Sequence, residues 1–545
     1  MAQFFNSKET IVQQALDGLI AASGGALARL DGYPFIRVVV RSDWHKSRVA
    51  VISGGGSGHE PAHAGFVGQG MLTAAVCGDV FASPSVDAVL AGILAVTGKA
   101  GCLLIVKNYT GDRLNFGLAA ERARTFGLKV NMVIVQDDIA IPEISRPRGV
   151  AGTLIVHKLA GAVSESGGDL DAVTMAAQRA AAGVMTIGRS LDTCTVPGAP
   201  KEDRIKPGKI ELGLGIHGEP GATILDFVDA RQMMAHLAGE FAPRLNGGRY
   251  VALLNNLGGT TGLEMSILAN ELRNSSIGAA ISHIIGPASM MTALDMHGFS
   301  LTLYPLSDAD ADLLAAPARV KAWPGIAALA EPIVIPLPAG LAQLAPAPSE
   351  NPTNEAFLRR ACQALMAAEA DLNLLDAKSG DGDTGSTLAG ACRALLSRID
   401  TLPLADLTQL HRVIGQELSQ TVGGSSGVLL AILFTATGDA LSRGLGLTSA
   451  LEVGLARMQE VGGAKPGDRT MIDALHPALT ALPGGLASAA TAARAGADLT
   501  ATMSRALAGR AIYVRAEQLA GHIDPGAEAV ARLFECLRDS SLPSS

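Results

Sequence analysis

Three aspartates in a short glycine-rich segment have the residue types and the spacing that a metal site needs. The segment DAKSGDGDTGST occupies residues 376–387 and places Asp376, Asp381 and Asp383 in the pattern D-x4-D-x-D. Carboxylates held on one tight loop repel each other unless a cation lies between them. An oxygen-only donor set favours Mg²⁺, which keeps coordination positions open for phosphate oxygens. The spacing of an EF-hand is absent, and an acidic loop that only caps a helix is the alternative.

A second glycine-rich segment, ISGGGSGHEP at residues 52–61, directly follows a predicted strand. Consecutive glycines let a backbone approach a ligand closely and present N–H groups to it. No Gly-Lys-Ser/Thr follows, so this is not a P-loop, and it is a poor match to a dinucleotide fingerprint. It predicts a loop for a small polar ligand, with a purely structural turn as the alternative. The candidate residues are Gly55, Gly56, Ser57, Gly58 and His59.

Two further turns carry polar side chains. KNYTGD, at residues 107–112, lies at the carboxyl end of a predicted strand, where open α/β sheets bind ligands. Lys107 and Asp112 are its candidates, although either could be an ordinary surface charge. GLGIHGEPG, at residues 213–221, places His217 between glycines. This predicts an exposed, unhindered imidazole that can act as a nucleophile or base, and a hydrogen-bonded turn histidine is the alternative.

The other histidines are interpreted as structural residues: His45, His63, His157, His236, His283, His297, His411, His476 and His522. TVGGSSG, at residues 421–427, opens a predicted helix, and such an N-terminus is suited to phosphate. GDRTMID at residues 467–473 and AGR at residues 508–510 are further polar turns with weaker patterns. Together, these motifs indicate a polar-ligand site in the first half, a Mg-phosphate site in the second, and phosphoryl transfer between them.

The elements that must position these residues differ between the two halves. Up to about residue 335, short β-rich runs alternate with amphipathic stretches. Such alternation predicts a largely parallel sheet with both faces covered, followed by a second α/β lobe. The predicted strands are 35–41, 49–53, 101–108, 129–135, 249–259 and 301–306, and the predicted helices are 86–96, 116–124 and 263–272.

Beyond a proline-rich stretch, the strand pattern disappears and helical periodicity takes over. The predicted helices are 357–375, 386–399, 404–421, 426–441, 450–461 and 473–482, with two more around 486–509 and 527–537. The predicted architecture is an α/β half of two lobes at residues 1–335, a Pro-rich linker at 336–354, and an all-helical domain of about eight helices at 355–545.

Composition excludes several classes of protein. Of the 545 residues, 48% are hydrophobic and 17% are charged, and this balance is not that of a disordered chain. No apolar run reaches the ~18–20 residues of a membrane span, and no secretion signal is recognisable, so we expect a soluble, cytoplasmic protein. The net charge of −8, without a basic cluster, argues against nucleic acid as a partner. The six scattered cysteines predict reduced, mostly buried thiols.

Six motifs in this order resemble the ATP-dependent dihydroxyacetone (glycerone) kinases in their fused single-chain form, over roughly residues 7–335 and 355–540. The motifs are SGGGSGHEPAHAGFVGQGMLTAAVCGDVFASPS, LLIVKNYTGDRLNFG, GIHGEPG, DAKSGDGDTGST, GGSSGV and GGAKPGDRTMIDAL. One departure is visible, since Ser379 stands where the family commonly has valine. The substitution removes no presumed ligand.

The resemblance implies a role for each candidate. His217 would bond covalently to the carbonyl carbon of dihydroxyacetone as a hemiaminal, which would exclude glycerol. His59 and Asp112 would hydrogen-bond the substrate and assist deprotonation of its hydroxyl, with Gly56 and Lys107 lining the pocket. Asp376, Asp381 and Asp383 would hold Mg²⁺ on the ATP phosphates. The nucleotide would be surrounded by Thr384, Gly385, Ser386, Thr387, Gly424, Ser425, Ser426, Gly467, Arg469 and Arg510.

The sequence leaves several alternatives open. The enzyme could prefer D-glyceraldehyde or use both trioses, and animal relatives also cyclise FAD. The separate-subunit relatives belong to a phosphoenolpyruvate-dependent system and include regulatory binding proteins, but fusion of both halves argues against that role. A homodimer is expected by family analogy, and transfer could occur within a chain or across the dimer.

Overall fold

The computed structural model describes residues 3–141, 145–213, 215–338, 346–421, 424–540 and 542–543, with residues 424, 425 and 510 described by their backbone alone. The chain divides into two compact units, Met1–Ile333 and Val334–Ser545, which we call the α/β unit and the helical unit. Part of the predicted linker lies outside the described residues, and the predicted domain boundaries stay a prediction.

The first lobe of the α/β unit is a mixed sheet covered by helices. Its described strands are β1 (Leu27–Arg29), β2 (Val38–Arg41), β3 (Ala50–Ser57), β4 (Ala74–Val80), β5 (Cys102–Lys107) and β6 (Val130–Val135), in the order β1-β2-β4-β3-β5-β6. Its helices are α1 (Ile11–Ala21), α2 (Val86–Val96), α3 (Thr110–Thr125), α4 (Thr153–Glu165) and α5 (Leu170–Gly183). Strands β4, β3, β5 and β6 pair in parallel, as predicted, whereas β1 and β2 are antiparallel.

The second lobe is also α/β, but its sheet is mainly antiparallel. Its described strands are β7 (Met185–Ser190), β8 (Lys209–Leu212), β9 (Thr223–Asp226), β10 (Tyr250–Asn256), β11 (Ile281–Ser289), β12 (Gly298–Pro305) and β13 (Ile326–Ala328), in the order β13-β11-β10-β12-β7-β8-β9. Its helices are α6 (Ala230–Phe241), α7 (Gly262–Asn274) and α8 (Asp308–Ala315). In the described part of the sheet, only β10 and β11 pair in parallel. The sequence predicted this lobe but not the direction of its strands.

A shared core joins the two lobes. Side chains alternate across each strand, so Val51 of β3 faces one core whereas Ile52 faces another. The core around Val51 contains α4 and α5 and also Val251 and Leu253 of β10. Because this core takes side chains from both sheets, the loops at the strand ends of the two lobes can meet.

The helical unit contains ten α-helices among its described residues rather than about eight. They are α9 (Pro352–Ala367), α10 (Glu369–Asp376), α11 (Thr384–Ser397), α12 (Leu407–Thr421), α13 (Gly424–Ser442), α14 (Leu447–Gly462), α15 (Ile472–Ala481), α16 (Leu486–Thr500), α17 (Ala516–Leu519) and α18 (Pro525–Leu537). The stretch 357–375 was predicted as one helix but breaks at Ala368, without glycine or proline to mark the break. Helix α12 begins later than predicted because the Asp406 carboxylate accepts the Gln409 N–H as a cap.

The helices were also compared with the length and apolarity of a membrane span. Within the described ranges, none is both long enough and apolar enough to cross a bilayer.

Candidate active site

The glycine-rich loop at the end of β3 is shaped by close backbone packing. A Cβ on Gly54 would lie 2.2 Å from the carbonyl oxygen of Val76, and one on Gly56 would lie 2.8 Å from the amide nitrogen of Ala82. Both positions therefore require glycine for packing against β4 and the turn that follows it. The structural alternative thus accounts for part of this motif. The Ser57 hydroxyl, predicted to contact substrate, donates to the Gly78 carbonyl at 2.9 Å.

Gly55, in contrast, faces the charged residues of the neighbouring strand end. A Cβ on Gly55 would lie 3.5 Å from Lys107 Nζ and 3.6 Å from Asp112 Oδ2. Lys107 is the last residue of β5, and Asp112 lies in the first turn of α3. Both are buried, with exposures of 1% and 3%. The two charges predicted from KNYTGD therefore meet the loop at one point, and they are not surface charges.

The pKa values of these two groups shift as buried charges require. Burial lowers the pKa of Lys107, and this effect is opposed by the nearby carboxylates of Asp112 and Glu219. Burial raises the pKa of Asp112, and this effect is opposed by the Lys107 charge and a hydrogen bond from Ser83. Lys107 Nζ and Asp112 Oδ1 have no hydrogen-bond partner among the described residues. Both are available to a polar ligand.

His59 is fully buried, and its tautomer follows from its partner. Its Nδ1 lies 2.8 Å from the Thr292 carbonyl, which can only accept, so the proton is on Nδ1 and the lone pair is on Nε2. Nε2 has no partner in the described part of the chain. Burial, together with the charges of Lys107 and His217, lowers the pKa of His59 well below its usual range. His59 is therefore a neutral acceptor, and Thr292 holds it from the second lobe.

His217 is the second-lobe residue of the site, and it is not exposed as predicted. It lies in the loop between β8 and β9, and its side chain is 19% exposed. Its ring meets those of Tyr109, His59 and Phe81 edge-on at centroid distances of 4.6, 4.9 and 5.3 Å. The flanking glycines shape the loop, but aromatic residues from the first lobe enclose the imidazole, which corrects the prediction of an unhindered side chain.

Glu219 orients this imidazole. Its Oε1 lies 2.9 Å from His217 Nδ1, and its Oε2 accepts the His217 backbone N–H at 3.0 Å. Since a carboxylate accepts, Nδ1 carries the proton and Nε2 keeps the lone pair. Burial opposes the charge on Glu219, but the hydrogen bonds from the His217 side chain and backbone lower its pKa to about 2. A Cβ on Gly215 would lie 1.9 Å from Glu219 Oε2, so a larger residue there would displace this carboxylate.

The α/β unit thus brings His59, Lys107, Asp112 and His217 together at the junction of its lobes. Sequence reasoning missed three participants: Phe81, Tyr109 and Glu219. Tyr109 and Glu219 lie inside the quoted motifs, and their polar neighbours could have drawn attention to them. Phe81 also lies inside a quoted motif, but nothing in its neighbours marks it; its left-handed backbone, with φ of 58°, presents its ring to two histidines.

In the helical unit, the three aspartates of the acidic loop lie together. Each offers a carboxylate oxygen, and these oxygens lie within 4.8 Å of one another, with Asp376 buried and Asp381 and Asp383 exposed. Asp376 Oδ2 accepts the backbone N–H groups of Asp383 and Thr384 at 3.0 and 3.1 Å. Asp376 therefore caps α11, as the alternative interpretation proposed. The Asp383 side chain makes no such cap hydrogen bond.

The donor set and its surroundings fit a divalent cation. Three carboxylates within 4.8 Å are costly without a counter-charge, and hard oxygen ligands suit Mg²⁺. A Cβ on Gly380 would lie 2.2 Å from Asp376 Oδ1, so only glycine leaves that oxygen accessible. Gly382 has a φ of 78°, which turns the chain between the two exposed aspartates.

The predicted nucleotide residues are only partly brought together. A cavity of about 1180 Å³ in the helical unit is lined by the three aspartates and by Thr384, Thr387, Ser426 and Arg469. Gly385 packs against α10, because its Cβ would lie 2.1 Å from the Glu369 carbonyl oxygen. Ser386 is exposed, and its backbone N–H donates to Asn373 Oδ1. Gly467, with a φ of 98°, forms the turn before α15.

Arg469 is the buried cation of this cavity. It is 1% exposed, and its Nη2 donates to the carbonyl of His522 at 2.7 Å. Its Nε and Nη1 have no partner in the described ranges, so they can receive an anion. Gly424 begins α13, but the side chains of Ser425 and Arg510 lie outside the described residues, so their predicted roles stay predictions.

Comparison with known proteins agrees with this two-unit arrangement. Residues 17–322 match the Dak1 domain and residues 378–539 match the DAK2 domain. The chain is 49% identical over 550 residues to the dihydroxyacetone kinase of Citrobacter freundii, covering 99% of each chain. It is 39% identical over 578 residues to the triokinase/FMN cyclase of Mus musculus, covering 98% and 97%.

A solved structure extends the similarity to the fold. The crystal structure of the C. freundii dihydroxyacetone kinase in complex with AMP-PNP and Mg²⁺ is similar with a TM-score of 0.69 and 48% identity, covering 99% of this chain and 100% of that one. An α/β unit with a cluster of buried histidine, lysine and aspartate side chains, followed by a helical unit with clustered carboxylates, defines a class of two-domain kinases. The chain belongs to the single-chain, ATP-dependent dihydroxyacetone kinase family.

Proposed function

We propose that this protein transfers the γ-phosphate of ATP to dihydroxyacetone and that His217 holds the triose as a covalent hemiaminal. The observation that carries the covalent proposal is the Glu219 carboxylate at 2.9 Å from His217 Nδ1. This contact places a proton on Nδ1, so the lone pair of the neutral imidazole is on Nε2. The ring centroid lies 4.9 Å from that of His59, in the cluster that also contains Lys107 and Asp112.

The hemiaminal forms by addition to the carbonyl group. The Nε2 lone pair makes the N–C bond, the π pair of the carbonyl moves onto its oxygen, and that oxygen takes up a proton. The new oxygen takes its proton from water and the Nδ1 proton is released to water, so the net change moves one proton from the imidazole to the new hydroxyl. The charged Glu219 stabilises the imidazolium that develops during attack.

The attacking hydroxyl is prepared by the buried polar groups of the first lobe. His59 Nε2 is an unpartnered acceptor, and Lys107 Nζ is an unpartnered donor. Together they hold the two ends of a small polyol in one orientation. Asp112 Oδ1, which has no hydrogen-bond partner among the described residues, accepts the hydroxyl proton as the bond to phosphorus forms, and the raised pKa of this carboxyl makes it a better base.

The helical unit provides the phosphate donor site. Asp376, Asp381 and Asp383 would hold Mg²⁺, which, when bound, neutralises charge on the nucleotide phosphates. Thr384, Thr387, Ser426 and Arg469 line the same cavity and would contact the nucleotide. The unpartnered guanidinium nitrogens of Arg469 suit a phosphate oxygen.

A coupled assay that compares phosphate donors tests the activity. Purified protein with dihydroxyacetone and Mg²⁺ should form product with ATP and not with phosphoenolpyruvate, because both the triose and nucleotide domains lie on this chain. Turnover with phosphoenolpyruvate alone would favour the alternative of a component of a phosphoenolpyruvate-dependent system. Parallel assays with D-glyceraldehyde and FAD measure the triose preference and any cyclase activity.

Glycerol provides a test of the covalent step. It offers the same terminal hydroxyls as dihydroxyacetone but has no carbonyl for Nε2 to attack. We expect no measurable phosphorylation of glycerol. Glycerol at a concentration equal to that of dihydroxyacetone should not inhibit dihydroxyacetone turnover. Turnover of glycerol comparable to that of dihydroxyacetone would contradict the hemiaminal mechanism.

Glu219→Gln tests the orienting carboxylate. Glutamine can still accept the Nδ1 proton as a hydrogen bond but removes the charge that stabilises the imidazolium, so kcat/KM for dihydroxyacetone should fall about 10- to 100-fold. The KM for ATP should stay unchanged. Glu121→Gln, on the exposed side of α3, is the matched control and should behave as wild type. Equal kinetics of both variants would show that Glu219 only shapes the loop.

We also propose that the protein is a cytoplasmic homodimer, on the basis of its family alone. Light scattering coupled to gel filtration should give twice the mass of one chain at micromolar concentration. A mass of one chain across that range would contradict the dimer.

A further inference from the structure

Two histidines outside the assigned site lie buried behind Lys107. His63 is at the N-terminal end of a short 3₁₀ turn after the glycine loop, and His157 is in α4. Their exposures are 3% and 0%, and their ring centroids are 5.3 Å apart. The sequence interpretation treated both as ordinary structural histidines.

The hydrogen bonding of Ser53 defines the tautomer of His63. The Ser53 hydroxyl donates its one proton to the Ile105 carbonyl at 2.7 Å. Its oxygen can therefore only accept from His63 Nδ1, which lies 3.5 Å away in a long contact. The proton of His63 is then on Nδ1, and its lone pair is on Nε2. That nitrogen is buried and has no partner among the described residues.

His157 has still fewer partners. Neither Nδ1 nor Nε2 has a hydrogen bond within the described ranges, although both are buried. Burial, and then the Lys107 charge, lowers the pKa of His157 to about 3, so the ring is neutral and has one donor and one acceptor nitrogen. Buried polar atoms without a partner are rare in folded proteins, and ordered water usually satisfies them.

Lys107 has the complementary groups. Its ammonium has three N–H donors, it is 1% exposed, and its Nζ has no partner in the described part of the chain. Lys107 Nζ lies against Gly55 and His63 lies against Ser53, and these are alternate residues on one face of β3, so the ammonium and the imidazole are neighbours on that face. The Lys107 charge also lowers the pKa of both His63 and His157, after burial itself. The Lys107 ammonium supplies donors and the two imidazoles supply lone pairs, and no direct hydrogen bond joins them. This combination fits a bridge through water.

We propose that His63 and His157 are positioning residues which hold the Lys107 ammonium, through buried water, at the wall of the triose pocket. When water bridges to the histidines accept one or two of the three N–H groups of Lys107, at least one N–H group is left to donate to the substrate oxygen. Neutral imidazoles do this without adding charge to a site that already contains Asp112 and Glu219. This inference rests on the proposed function, because it assigns Lys107 to triose binding.

Replacement of His157 tests the proposal through substrate affinity. His157→Leu removes both ring nitrogens but keeps an apolar side chain in the core. The KM for dihydroxyacetone should rise about 10- to 30-fold, since hydrogen bonding to a charged group is lost. The KM for ATP should be unchanged, and kcat should change less than threefold. His157→Gln, which restores a donor and an acceptor, should recover most of the affinity, which a merely structural role would not predict.

Lys158→Met is the matched control on the same helix. Lys158 is equally buried, but its Nζ donates to the Leu313 carbonyl at 2.7 Å, away from Lys107. We expect this variant to keep the wild-type KM for dihydroxyacetone even if its melting temperature falls. An unchanged KM in His157→Leu, or an equal rise in Lys158→Met, would overturn the proposal. Absence of turnover in wild type would instead contradict the proposed function.

A crystal structure of the wild-type full chain tests the bridge without any variant. At a resolution that defines water, density should lie within hydrogen-bond distance of Lys107 Nζ and of His63 Nε2 or a His157 ring nitrogen. A dry contact between these groups, with no such density, would overturn the proposal whether or not His157→Leu folds.

Discussion

His217→Ala should lower kcat/KM for dihydroxyacetone by about 10³-fold or more, because it removes the proposed nucleophile that anchors the triose. The KM for ATP should stay within twofold, since the proposed nucleotide site lies in the helical unit. Native mass spectrometry with dihydroxyacetone should show wild-type protein carrying the mass of one triose, and no such adduct in the variant. The melting temperature should change little, because the side chain is partly exposed and packs against rings that remain.

The matched control for this prediction is His236→Ala. His236 lies in α6 with a side chain 48% exposed, and it contacts a glutamate at Nδ1 just as His217 does. It should keep wild-type kinetics and the adduct. Wild-type kinetics in His217→Ala, or an adduct of equal abundance, would remove His217 from the covalent step and leave Lys107, Asp112 and His59 as a noncovalent site.

The sequence predicts which candidate residues come together in the α/β unit better than it predicts how deeply they are buried. Lys107, Asp112 and His59 follow strand ends, and parallel strands bring their carboxyl ends to one edge. His217 reaches the same point through a β-hairpin of the second lobe, and no local pattern specifies that contact. The prediction of an exposed imidazole was therefore wrong because residues distant in sequence, above all Phe81 and Tyr109, pack against the His217 ring.

The same difference between local and distant interactions explains which features of the fold could be predicted from the sequence. Helix α2 was predicted with its observed ends, and a local interaction fixes its start, since the Ser85 side chain accepts the Ala88 N–H. The break at Ala368 had no sequence pattern, since the helix ends there in residues that favour helix. The antiparallel order of the second sheet likewise depends on how β10 and β12 pair across the lobe, which periodicity does not report.

The acidic loop combines both interpretations that its sequence left open. Asp376 caps α11 through two backbone N–H groups while one of its oxygens stays accessible beside Gly380. Capping fixes the position of this carboxylate, and the glycine turn then brings the two exposed aspartates to it. A helix cap thus provides the rigid part of the proposed cation site.

Asp383→Asn should reduce kcat by about 10²- to 10³-fold and raise the Mg²⁺ concentration needed for half-maximal rate, because phosphoryl transfer relies on metal-assisted charge neutralisation. Asp383 is exposed and makes no cap hydrogen bond, so the substitution should not unfold α11. Without metal, the melting temperature should stay equal or rise slightly, since one of three repelling carboxylates is lost. The stabilisation that Mg²⁺ with AMP-PNP gives to wild type should shrink.

Asp400→Asn separates this loss from a general effect of removing negative charge in the helical unit. Asp400 is exposed and lies outside the acidic loop, so its variant should keep the wild-type rate, Mg²⁺ requirement and ligand-dependent melting shift. Dihydroxyacetone adduct formation, measured without nucleotide, should be normal in both variants because it depends on the α/β unit. A normal rate and Mg²⁺ requirement in Asp383→Asn would assign the acidic loop to capping alone and would require another phosphate-neutralising group in the cavity, for which Arg469 is the buried candidate.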